Sequence, residues 1–103
     1  MSEDLRNLDS YPAFYNFTAN DSTTTEILLP SACTRVSLGC VGKSIFVCNN
    51  GATDGGAIPS IKATVPSSNY LQVRLGRGMN RPSSVFVAST SGNAEVSVIL
   101  EET

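Results

Sequence analysis

The chain has 103 residues, 41% of them apolar, with a formal net charge of −2 and a mean hydropathy of +0.02. One domain with one modest core fits that length, and the composition speaks against both a disordered chain and a membrane-embedded one. Histidine is absent, which excludes Ser/His/Asp and Cys/His catalysis and removes the commonest zinc ligand.

The first residues, Met1-Ser2-Glu3-Asp4-Leu5-Arg6, carry neither a basic stretch nor an apolar one, so no secretory leader is expected. Residues 1–12 are polar, acidic and without sustained periodicity, and are expected to form a flexible acidic N-terminal arm. Residues 13–103 are expected to form a single β-sandwich domain. Ser and Thr together number 23, while Ala, Leu, Glu and Lys are sparse, a balance that favours short strands over helices.

Residues 14–19 put Tyr15, Phe17 and Ala19 on one face, and Asn20-Asp21-Ser22 supplies a turn. Residues 23–29 alternate Thr25, Ile27 and Leu29 against Thr24, Glu26 and Leu28 until Pro30 stops the strand. Residues 35–41 set Val36, Leu38 and Cys40 opposite Arg35, Ser37 and Gly39. Residues 44–49 are apolar on both faces, as a central strand is, and the Asn-Gly and Asp-Gly pairs in residues 49–56 form the strongest turn signal in the chain.

Residues 61–65 alternate Ile61, Ala63 and Val65 against Lys62 and Thr64. Residues 70–75 turn Leu71, Val73 and Leu75 inward and Gln72 and Arg74 outward, followed by a basic, glycine-rich loop over residues 76–82. Residues 85–89 form a short apolar strand, Thr90-Ser91-Gly92-Asn93 a tight turn, and residues 94–101 alternate Val96, Val98 and Leu100 inward. About eight short strands with no crossover helix predict an all-β fold of antiparallel sheets. The expected architecture is a jelly-roll or Ig-like β-sandwich with an extended N-terminal arm, a small barrel being the alternative.

Charge is uneven along the chain: residues 1–26 carry −4, residues 27–94 carry +5, and residues 95–103 carry −3. Such asymmetry suits complementary contacts between subunits or with an acidic partner; scattered solvating charges are the other reading. Arg74, Arg77 and Arg81 place three guanidinium groups at a strand end and its loop. They are candidates for clamping carboxylates or phosphates, with solvated loop arginines as the alternative.

Gly76 and Gly78 lack the third glycine, the Gly-Lys-Ser/Thr ending and the helix of a phosphate loop. The aromatic residues cluster at Tyr11, Phe14, Tyr15 and Phe17, away from the arginines, so no nucleic-acid partner is expected. Asp21 and Asp54 sit in turns, where Asp is common for turn geometry alone. Cys33, Cys40 and Cys48 form no Cys-x-x-Cys pair and lie in apolar stretches, as reduced core thiols do. No metal, cofactor, membrane or enzymatic activity is expected.

The run Phe17-Thr18-Ala19-Asn20-Asp21-Ser22-Thr23-Thr24-Thr25-Glu26-Ile27-Leu28-Leu29-Pro30 resembles the opening of small all-β virion proteins of tailed bacteriophages. The ending Ser84-Val85-Phe86-Val87-Ala88-Ser89-Thr90-Ser91-Gly92-Asn93-Ala94-Glu95-Val96-Ser97-Val98 is similar to theirs too, and the resemblance spans roughly residues 14–101. It implies a capsid decoration or cement protein, made in the host bacterial cytoplasm and carried in the virion. Its implied partners are the major capsid protein and further copies of itself, a trimer being the favoured oligomer. The partner-binding candidates are Arg74, Arg77, Arg81, Tyr11 and Tyr15. A neck, tail or fibre-associated virion component, or a small carbohydrate-binding host-adhesion module using Tyr11, Tyr15 or Tyr70, is the alternative.

Overall fold

Alternation with period two makes each strand one-sided, and two such sheets bury their apolar faces against each other. The computed structural model describes residues 2–49, 51, 58–59, 62–76 and 81–102. Among the described residues it holds nine strands and no helix. They are β1 (Ser2–Asp4), β2 (Ala13–Ala19), β3 (Thr25–Leu28), β4 (Arg35–Val41), β5 (Ile45–Cys48), β6 (Ala63–Val65), β7 (Tyr70–Arg74), β8 (Ser84–Ser89) and β9 (Ala94–Glu101).

One sheet has the order β2-β9-β4-β7 and the other β1-β3-β8-β5-β6. The strands pair antiparallel as β2 with β9, β3 with β8, β4 with β7 and β5 with β6. From β2 to β9 the chain is therefore one long antiparallel ribbon, doubled back after β5 and rolled so that successive rungs fall in opposite sheets. The pairings of β4 with β9 and of β5 with β8 close the roll. Asn49 and Gly51 stand at the doubling-back point, where the turn signal is strongest; Asp54 lies outside the described residues.

Ile27, Val36, Leu38, Ile45, Val87, Val96, Val98 and Leu100 meet between the sheets, each almost fully buried. Burying one such side chain contributes roughly 1.5–3 kcal/mol. Cys33, Cys40 and Cys48 are buried and free, and burial pushes all three thiols up from their ordinary value. The short turns at one end are tied together: Ser89 N–H donates to Asn20 O, Thr90 N–H to Ser44 O, and Gly92 N–H to Asp21 Oδ2.

The structure departs from the expected arm at residues 1–12. β1 pairs with β3, and Leu5 is only 2% exposed, its N–H donating to Leu28 O at 2.9 Å. The Tyr15 hydroxyl, on β2 in the opposite sheet, donates to Glu3 Oε1 at 2.6 Å, so one open side of the sandwich is stitched. A strand of three residues has too little alternation to be seen in the sequence.

The expectation of purely antiparallel sheets also fails at one pair, because β1 and β3 run parallel. β2, passing through the other sheet, makes the crossover that a helix usually makes. Ala63, which the alternation sets on the same side as Val65, is exposed on the edge strand β6. Leu5→Ala is predicted to lower the unfolding free energy by about 2–4 kcal/mol, measured by urea denaturation. A loss under about 0.5 kcal/mol would show that this segment is not part of the core.

Candidate functional site

The residues singled out from the sequence have separate placements. Arg81 faces the protein: Nε and Nη2 donate to Cys33 O at 3.1 and 2.7 Å, Nη2 also to Pro30 O at 2.7 Å, and Nη1 to Pro82 O at 3.1 Å. Its guanidinium thus binds the turn between β3 and β4 to the segment leading into β8. Tyr11 is half-buried against the core and donates to Leu8 O at 3.1 Å. Tyr15 is half-buried and held by Glu3. Arg74 is exposed on β7, and Arg77 lies outside the described residues.

The two sheets treat their outer faces differently. On the five-stranded sheet, Gly51 lies so close to Phe86 that a Cβ there would come within 2.6 Å of the ring. The Lys62 ammonium stands 4.9 Å over the Phe46 ring, and Cys48 is only 4% exposed. The residues flanking the β5–β6 bend therefore cover that face.

On the four-stranded sheet the outer face is bare and carries large apolar side chains. Phe14 on β2, Val41 on β4 and Tyr70 on β7 are 70%, 62% and 59% exposed, the exposed large hydrophobics among the described residues. The register puts Phe14 beside Ile99, and Ser37 next in line; Asn16, Ser97, Gly39 and Tyr70 form the following row. Tyr70 lies over Gly39, where a Cβ would stand 2.6 Å from its ring. Only glycine lets that ring rest on the sheet.

Charges mark the two ends of this face. At one end Arg35 stands between Arg74 and Glu101 in register. At the other, Glu95 opposes Val41 and accepts a hydrogen bond from Thr18 Oγ1 at 3.1 Å. Like charges directly opposite on a sheet destabilise it, yet the ion pair found among the described residues joins Asp4 and Arg6 and involves neither Arg35 nor Arg74. Arg35 Nε is buried without a hydrogen-bond partner, an arrangement with a cost.

The signal for this face was present in the alternation. If Tyr15 and Phe17 point inward, Phe14 points outward; if Leu71 and Val73 point inward, so does Tyr70 point outward. Among the described residues no group of three or more His, Cys, Asp or Glu side chains is placed to hold a metal ion. Comparison with protein-family models, with curated proteins and with solved structures finds no match.

Arg81→Ala is predicted to destabilise by about 1–3 kcal/mol, because it strips the donors from two carbonyls at a packed turn, whereas Arg74→Ala stays within about 0.5 kcal/mol. Urea titrations of the two variants decide it. Alkali supplies a second test. The Glu3 carboxylate that Tyr15 bonds, together with burial, raises the Tyr15 phenol above 10.0. A pKa raised on folding gives stability that is complete below the unfolded value and lost as pH rises through the folded one. Stability should therefore fall above pH 10.0, and less steeply in Tyr15→Phe, as followed by circular dichroism. Tyr11 and the three buried thiols, all raised by burial, account for the slope that remains, the thiols from about pH 9.0 upward.

Proposed function

We propose that this chain is a virion structural protein of a tailed bacteriophage, a decoration protein that binds the capsid surface and bridges neighbouring subunits, with no catalytic role. The observation that carries the reading is the bare outer face of the four-stranded sheet. A sheet face that carries the exposed large hydrophobics of the described residues is the kind of surface that binds a partner.

The rolled-ribbon strand order supports a jelly roll, an architecture found in viral capsid and lectin domains. That is an analogy of fold, and function has to come from the surface. The docked N-terminal segment, the inward-facing Arg81 and the tied turns make a rigid block suited to repeated contacts. On a regular shell each contact can be weak, because a copy held at one site meets the next at high effective concentration. The major capsid protein is the proposed partner, the virion the proposed location.

Tyr70 favours a second reading, a small carbohydrate-binding module. Its exposed ring rests on Gly39 and offers a free face for stacking.

Quantitative mass spectrometry of purified particles, scaled to the major capsid protein, tests the first reading. A near-stoichiometric ratio is expected. A ratio of a few per cent, as an order of magnitude, would move the chain to a neck or tail position, and absence from particles would overturn the virion reading. Saturable glycan binding lost in Tyr70→Ala would then establish the second.

A further inference from the structure

We infer that the outer face of the four-stranded sheet is the interface of a two-fold dimer of this chain. The inference goes beyond the capsid reading: it gives the face to a second copy of the chain and stands on the charges and apolar side chains of that face. The face is apolar in the middle, at Phe14, Ile99 and Tyr70, and oppositely charged at its ends. Arg35 and Arg74 stand at one end, unpaired among the described residues, and Glu95 at the other.

Arg35 and the Val41 opposite Glu95 are the first and last residues of β4, so the two ends lie about 20 Å apart along the strand. A second copy turned end for end about an axis in the plane of the interface sets its Glu95 end over the Arg35–Arg74 end, twice per dimer. With the sheets crossed at the usual angle of about 30°, the carboxylate meets the two guanidinium groups and clears Glu101 beside them. β2 then lies over β2 and β7 over β7, and Phe14 and Tyr70 each meet their counterparts near the axis.

This contact answers two features of the single chain. It covers the exposed apolar side chains and relieves the opposed pair of arginines. Such a face, four strands wide and about 20 Å long, is small against a standard interface. The dimer is therefore weak in dilute solution and is reinforced when copies are held side by side.

Sedimentation equilibrium across a concentration series tests the inference on the full chain, with circular dichroism to confirm that each variant is folded. Wild type should dimerise reversibly, and Phe14→Ser or Tyr70→Ser should weaken the dimer by about tenfold or more. Arg74→Glu and Glu95→Arg should each weaken it by a similar factor, since like charges then face each other twice. Mixing these two variants should recover part of the affinity, because one of the two contacts is then the wild-type one and the other sets the introduced arginine against the introduced glutamate, with Arg35 beside them.

A wild type that stays monomeric at all concentrations overturns the dimer, whether a capsid or a sugar then proves to occupy the face. So does a dimer indifferent to these substitutions, or one in which the two reversals fail to rescue each other. A rescued dimer of a chain absent from particles would overturn the virion reading and leave the two-fold contact standing.

Discussion

Val96, Val98 and Leu100 on β9 point into the sandwich, and the four-stranded sheet takes its register from them. β9 pairs with β2 on one side and β4 on the other, so one strand sets which face of three strands is wet. A slip of one residue would expose these three side chains and bury Glu95, Ser97 and Ile99 in their place. Burial of a charge without a partner costs far more than a sheet gains from any single contact. That penalty holds the ribbon in one register, and the placement of Phe14, Val41 and Tyr70 on the opposite face follows from it.

The roll then decides which apolar residues remain in water. Both sheets carry large apolar side chains on their outer faces, but among the described residues it is on the five-stranded sheet that neighbouring chain covers them. Gly51 rests on Phe86 and Lys62 stands over Phe46, because the ribbon doubles back at that edge. Among the described residues no comparable cover lies over Phe14 and Tyr70, which stand on the two edge strands of the other sheet. The difference between a covered and a bare face is the clearest functional asymmetry in the molecule.

Electrostatics divides the arginines in the same way. Arg81 spends its donors on Pro30, Cys33 and Pro82 carbonyls and works as an internal strut. Arg35 and Arg74 stand opposed on the bare face with no carboxylate bonded to either among the described residues. The exposed pair of Asp4 and Arg6, in which Arg6 holds the Asp4 carboxyl down to about 2, is a local contact of the kind that adds little stability.

Several features were legible without the fold. Alternation over residues 94–101 gave both the bounds and the inward face of β9, and the β-branched run around Ile27 and the apolar run around Val47 became strands of the core. The buried thiols followed from their apolar neighbours. These properties are local, and the pleat expresses them whatever the strands pack against. Tertiary structure alone decided that residues 2–4 add a parallel strand, that Arg81 turns inward, and that Tyr15 reaches Glu3 in the opposite sheet. It also decided that Phe14, Val41 and Tyr70 share one uncovered face. Each of these joins residues distant in sequence, and no local pattern records which strands become neighbours once the ribbon has rolled.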